Sequence, residues 1–332
     1  MPELQEFEAL PRTYAEAGVD IAAYGRLLAR VKPLIDGTHT DDVVAGVGRF
    51  AGLYKLPGGG CLAASADGVG TKIKVAIAYG RHAGIGQDLV NHCVNDILTA
   101  GATPLFFLDY FACGRLEEEV FEQVMTGVTQ ACRANGLALL GGETAEMPGV
   151  YALGDYDLAG FIVGHVGEGS TREQVRAGDV LVGLPASGLH TNGFSLVRRI
   201  FQNLPLETVL PGLARPLGEE LLEPHRSYLA EMLTLPWKAA AHITGGGLLE
   251  NVPRALPAGL AAELDLASWE IPPLFAAIQR RGQLTPAEML STFNLGLGMV
   301  LVSAAPISGY PVVGRVVEQA GEERLTLSGA FH

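Results

Sequence analysis

Apolar residues recur at helical spacing in several stretches of the chain. Between residues 21 and 35, Leu27, Leu28, Val31, Leu34 and Ile35 return every three or four positions, which predicts an amphipathic helix. Residues 87–100 place Leu89, Val90, Val94, Ile97 and Leu98 on one face, and Gly101 stops that run. Residues 117–135 predict another helix, with acids in its first turn and Asn135-Gly136 at its end. Compact apolar runs of strand length lie between and after these helices, at 61–65, 105–110, 137–140 and 159–166. After a polar stretch at 167–173 the pattern restarts, with a strand at 180–184 and a helix from about 194 to 201. Residues 293–299 form a glycine-spaced, strand-like segment that reads as structural. Strands alternating with helices predict an α/β or α+β protein. The polar stretch predicts two domains, at 1–168 and 169–332, and 332 residues suit two domains of ordinary size.

Composition narrows the function. Glycine accounts for 43 residues, in short runs without a collagen-like period. Such runs mark tight turns or close approach of backbone to a ligand. The net charge of −13 argues against a nucleic-acid partner, because phosphate backbones are held by clustered Lys and Arg. Cys61, Cys93, Cys113 and Cys132 form no C-x-x-C pair, so they read as buried small hydrophobes in a reducing compartment. Met1 to Leu10 has no basic start and no long apolar run, and no apolar stretch is long enough to span a membrane. The expected location is cytoplasmic.

The candidate chemistry sits at predicted strand ends. Ser65-Ala66-Asp67-Gly68-Val69-Gly70-Thr71-Lys72 offers a carboxylate, a flexible turn and then a lysine. This suits a metal-bound polyphosphate, with Asp67 on Mg²⁺, loop N–H groups on phosphate and Lys72 neutralising charge. An Asp-Gly turn followed by a surface lysine is the plain alternative. No G-x-x-x-x-G-K-[ST] sequence is present, so any nucleotide site has another architecture. Asn95-Asp96 falls on a helix, and Glu143 and Asp109 fall at the ends of buried strands. Acids that converge imply a cation, since unshielded carboxylates repel. In the second half, 187–195 and 242–247 are rich in hydroxyls and glycine and lead into helices, whose free N–H groups suit phosphate. His190, in a turn between Gly188 and Gly193, is read as an exposed imidazole.

These motifs occur in one order: Tyr14 to Ile21, Asp67 to Lys72, Asn95-Asp96, Pro104 to Tyr110, Gly141 to Gly149, Asp155 to Gly160, Ser187 to Gly193 and Thr244 to Gly247. In that order they resemble the phosphoribosylformylglycinamidine cyclo-ligases, also called aminoimidazole ribonucleotide synthetases, over residues 13 to 300. The resemblance implies a two-domain PurM-like fold and a homodimer. An N-terminal four-stranded sheet would meet its copy in a barrel-like interface, beside a C-terminal α/β domain. It also implies ATP-dependent closure of an imidazole ring on formylglycinamidine ribonucleotide, with Mg²⁺ and a monovalent K⁺ as a further candidate. ATP would be held by Gly46, Gly48, Gly68, Val69, Gly70, Thr71, Lys72, Asp109 and Thr144. The ribonucleotide would be held by Ser187, Gly188, His190, Thr191, Asn192, Gly193, Thr244, Gly245 and Gly246. Asp67, Asp96 and Glu143 would take the metal, and His190, Lys72 and Asp67 would be catalytic. Two positions depart from the family pattern. Ala15 stands where relatives carry Lys, and Cys113-Gly114-Arg115 stands where they tend to carry Thr-Gly-Lys.

Overall fold

A computed structural model describes residues 10–168 and 173–330. Most of the Met1 to Leu10 segment, and residues 169–172 at the predicted boundary, lie outside the described residues. The first half runs α1 (Ile21–Asp36), β1 (Val43–Ala45), β2 (Gly52–Lys55), β3 (Cys61–Gly68), α2 (Lys72–Tyr79), α3 (Ala83–Thr99), β4 (Thr103–Cys113), α4 (Glu118–Ala134), β5 (Ala138–Glu146) and β6 (Tyr156–Val166). The second half runs β7 (Val180–Pro185), α5 (Phe194–Ile200), α6 (Leu217–Leu221), α7 (Leu229–Thr234), β8 (Ala239–His242), α8 (Gly247–Arg254), β9 (Leu260–Asp265), α9 (Pro273–Gly282), α10 (Pro286–Thr292), β10 (Leu297–Ser303), β11 (Val312–Glu318) and β12 (Leu325–Ser328).

Each half builds one six-stranded sheet. The first has the order β1-β2-β3-β6-β4-β5 and the second β12-β9-β11-β7-β10-β8. The expected four strands are β3-β6-β4-β5, and the short β1–β2 hairpin extends them by two. Leu89, Val94, Ile97, Phe107 and Ile162 are fully buried where α3 meets the first sheet. The other face of that sheet stays open. Phe161, flanked in register by Ala66 and Leu108, is 42% exposed, and Leu140 is 63% exposed. In the second sheet β10 is buried at every position, as its unbroken apolar run requires.

α3 is buried almost all round, and its buried side includes polar residues. Asp88, Asn91 and Asn95 recur at helical spacing and face an irregular segment from the second half, residues 223–228. Asp88 Oδ1 accepts the His225 N–H at 2.7 Å, and Asn91 Nδ2 donates to the His225 carbonyl at 2.7 Å. Asn95 accepts the Tyr228 N–H and donates to the Arg226 carbonyl, both at 2.9 Å. Lys72 donates to the Glu223 carbonyl at 2.8 Å, and Ser187 to the Pro224 carbonyl at 2.6 Å. A buried loop needs partners for its backbone, and here side chains of the first half supply them. This grip fixes the two sheets against each other along one seam.

Candidate active site

A cleft of about 920 Å³ opens on the other side of that junction. Asp67, Gly68, Gly70 and Thr71 form one wall, from the end of β3 and the turn into α2. Thr191, Asn192, Thr244 and Gly245 form the facing wall, from the turns that enter α5 and α8. The walls touch where the Thr71 and Ser195 hydroxyls lie 3.0 Å apart. Tyr14 comes in from the N-terminal arm and lines the cleft, and its hydroxyl bonds the Gly193 backbone. Asp157 and Glu250 add further carboxylates to the walls.

Asp67 is the central charged group. Its Oδ2 lies 2.8 Å from His92 Nε2, and its Oδ1 accepts the Gly68 N–H at 2.7 Å. Burial pushes this carboxyl up, but the charge and hydrogen bond of His92 outweigh burial and hold it below its ordinary value. Burial likewise works against the His92 cation, yet Asp67, Asp96 and Asp88 raise it to about 9. His92 Nδ1 reaches the Thr191 hydroxyl at 2.8 Å, so one imidazole links both walls. Behind it, Asp96 Oδ1 lies 2.8 Å from His242 Nδ1, and Asp96 Oδ2 accepts the Ser65 hydroxyl at 3.0 Å. His242 Nε2 in turn faces His225 Nε2 at 3.1 Å.

The predicted residues divide into several groups. Asp67, Gly68, Gly70, Thr71, Thr191, Asn192, Thr244 and Gly245 all meet in the cleft. Val69 is fully buried in the core beneath it. Gly46 and Gly48 line a neighbouring cavity of about 680 Å³. Ser187 donates to the Pro224 carbonyl of the 223–228 segment, and the Gly188 carbonyl accepts from Asn294 Nδ2. Gly193 and Gly246 are left-handed caps, with φ of 82° and 92°, that let the chain enter α5 and α8.

Lys72 corrects an expectation. It is fully buried, with Nζ 2.8–2.9 Å from the two Asp88 carboxylate oxygens, so no charge is left for phosphate. As the first residue of α2 it points inward, under Phe194. His190 is a second correction. Its φ of 60° turns the imidazole into the interior, where it stacks on His225 at 3.8 Å and packs over Gly298. Burial holds both imidazoles well below their ordinary pKa, so they are neutral.

The acid set is corrected as well. Asp67 pairs with Gly160, Gly160 with Asp109, and Asp109 with Gly142, so Glu143 stands about three strand spacings, roughly 14 Å, from Asp67. Within one chain Glu143 and Asp67 share no cation. Thr144 lies on the same exposed edge strand, and Asp109 packs over Gly142 away from the cleft. Asp96 is near Asp67 but is turned to His242 and Ser65.

His190, His225 and His242 lie close enough to bring three nitrogens together. The stacking argues against an ion there. Rings 3.8 Å apart and only 17° from parallel would leave a shared ion about half that gap out of each plane, off the lone pairs. The hard oxygens of Asp67 in the cleft suit Mg²⁺ better. His92 and His225 were not singled out by sequence; His92 shares the helical spacing of Asp88, Asn95 and Asp96, and no local pattern marks His225.

Family comparison agrees with this layout. Residues 48–166 match the family described as AIR synthase related protein, N-terminal domain, and residues 176–307 match its C-terminal domain. The phosphoribosylformylglycinamidine cyclo-ligase of Myxococcus xanthus is 48% identical over 93% of this chain and 97% of its own length. That of Thermosynechococcus vestitus is 47% identical over 93% and 97%. Among solved structures, thiamine monophosphate kinase from Aquifex aeolicus gives a TM-score of 0.61 at 19% identity, covering 95% of this chain and 99% of that one. The Escherichia coli hydrogenase maturation protein HypE gives 0.59 at 17% identity, covering 92% and 94%. These structures share the fold. No helix among the described residues is long and apolar enough to cross a membrane. The fold, the cleft and the full-length relatives together place the chain in the phosphoribosylformylglycinamidine cyclo-ligase family.

Proposed function

We propose that the cleft carries out the ATP-dependent closure of formylglycinamidine ribonucleotide to 5-aminoimidazole ribonucleotide, a step of purine biosynthesis. The observation that carries this reading is that the two motif sets face each other across one cleft. The formamide oxygen attacks the γ-phosphorus of ATP, and the bond to ADP breaks. N1 of the amidine then attacks the formyl carbon. The carbon–oxygen bond breaks, phosphate leaves with that oxygen, and the nitrogen gives up a proton. An amide oxygen leaves poorly, and phosphorylation makes it a good leaving group. Most of the catalysis is positioning and charge stabilisation.

Asp67 is the protein ligand for Mg²⁺ in this reading, with phosphate oxygens and water completing the shell. The ion would neutralise charge on the polyphosphate. His92 orients the Asp67 carboxylate and ties it to Thr191. Asn192 Nδ2 is buried at the cleft wall without a partner among the described residues, and a phosphate or ribose oxygen would complete it. The reading extends to domains at 1–168 and 169–332, a cytoplasmic location, and a homodimer joined through the open face of the first sheet. Exposed Phe161 and Leu140 on that face support the dimer.

ADP release measured with formylglycinamidine ribonucleotide and, separately, with thiamine monophosphate tests the reading. Release with the first alone is expected. Release with the second alone would overturn the assignment.

A further inference from the structure

Arg254, the last residue of α8, belongs to the walls of both the 920 Å³ cleft and the 680 Å³ cavity. Its Nε donates to the Gly48 carbonyl at 2.9 Å, and its Nη2 donates to the Arg49 carbonyl. The guanidinium lies 4.2 Å from the centroid of the Phe50 ring. One side chain of the second half therefore holds three consecutive residues of the glycine-spaced loop. The loop's end is also anchored, by Phe50 on the second core and by buried Ala51, but its tip at Gly48 is open. Gly48 has φ of 107°, and nothing lies within 4 Å of the point a Cβ would occupy.

Like Arg281 and Arg324, Arg254 bonds carbonyl oxygens among the described residues, but it also lines both cavities. Arg81, Arg215, Arg226 and Arg315 each pair with a carboxylate. Arg254 pairs with carbonyl oxygens only, among the described residues. A guanidinium has five N–H donors, and two of them serve the loop. The residue lines the cleft wall with Thr244, Gly245 and Asn192, and its other three donors have no partner among the described residues. Asp96 and Glu250 favour its charge against burial, but neither hydrogen-bonds to it among the described residues, and a planar cation with donors to spare suits a phosphate group better than a neutral ligand.

We propose that Arg254 is a phosphate-binding residue that also ties the 46–50 loop to the second half, so that phosphate binding and loop position depend on each other. The phosphate is either that of a nucleoside polyphosphate or that of a ribose phosphate. The identity of the ribonucleotide rests on the cyclo-ligase reading, whereas the coupling rests on the geometry alone.

Backbone hydrogen exchange over residues 44–51, with Kd values for the same ligands, tests this in the full chain. The ligands are the non-hydrolysable ATP analogue AMPPNP with Mg²⁺, and formylglycinamidine ribonucleotide, each added alone. In the wild type one of the two should slow loop exchange by about tenfold or more, which also identifies which phosphate is bound. Arg254→Ala should abolish that protection and weaken the same ligand by about tenfold or more. Arg254→Lys should recover part of the affinity but not the protection, because an ammonium lacks the fork that holds two carbonyls. Equal protection in Arg254→Ala and wild type would overturn the proposal, as would unchanged Kd for both ligands in folded Arg254→Ala and Arg254→Lys. Loop protection without ADP release from formylglycinamidine ribonucleotide would leave the proposal standing and remove the cyclo-ligase reading instead.

Discussion

The two halves of the molecule meet along two seams built on opposite principles. At the first, Lys72, Asp88, Asn91 and Asn95 grip the backbone of residues 223–228 in the buried interior, where His225 Nδ1 is left without a partner among the described residues. At the second, Arg254 holds the Gly48 and Arg49 carbonyls beside two open cavities. A buried seam opens only with global unfolding, whereas a sparse exposed one opens locally. The cleft lies between them, with one rigid side that fixes Asp67 against Thr191 and one side that can admit a ligand. The comparison teaches that a buried lysine in a glycine-rich motif can serve the joint while the arginine of another element lines the cleft.

The largest effect should come from the sealed seam. Asp88→Asn leaves the Lys72 ammonium buried without its counter-charge, and should destabilise the fold by about 3–5 kcal/mol in thermal or denaturant unfolding. Replacing both partners, as Lys72→Met with Asp88→Leu, should restore much of that loss. A mild Asp88→Asn would show that the seam is not dry. Next in size, Asn91→Ala leaves the His225 carbonyl unpaired and should cost about 1–3 kcal/mol by the same measurement.

Acid should attack the same seam through His225. Its folded pKa lies well below the ordinary value because of burial, with His190 and His242 adding to the effect. The unfolded chain therefore takes up a proton below about pH 6.5 that the folded chain refuses, and stability falls as pH falls through that value. His225→Asn should flatten this limb by up to about 1.4 kcal/mol per pH unit. A parallel pH profile in the variant would contradict the buried neutral imidazole. The smallest effect belongs to the open seam. Phe50→Ala removes a cation–π contact of about 0.5–1 kcal/mol. It should speed exchange of the 44–51 loop while leaving the melting temperature nearly unchanged.

Much of the scaffold was legible in the sequence. Helical spacing located α1, α3, α4 and α5 to within a few residues, because each has one strongly apolar face or a clear stop. The strand runs were found but read short. β4 extends from 103 to 113 where only 105–110 was expected, since the apolar run resumes as Phe111-Ala112-Cys113 after polar Asp109, and Thr103-Pro104 pair before it. The motifs pointed to Asp67, Gly68, Gly70, Thr71, Thr191 and Asn192, which line one cleft in the structure. They failed for Lys72 and His190, for different physical reasons. Lys72 lies one residue past the turn, already in α2, and sequence does not distinguish a lysine facing phosphate from one facing a buried aspartate. His190 looked exposed between glycines, but its left-handed backbone turns it inward. Glu143 failed because strand order, which sequence does not give, puts three spacings between it and Asp67.

The central claim is that the Asp67 carboxylate, held by His92 on the cleft wall, is what makes this cleft a site of phosphoryl transfer. Steady-state ADP formation by Asp67→Asn, at saturating Mg²⁺, ATP and formylglycinamidine ribonucleotide, addresses it directly. Turnover should fall by about a hundredfold or more in protein that still folds, with some loss of stability because His92 loses its carboxylate partner. Near-normal turnover in that variant would contradict the account.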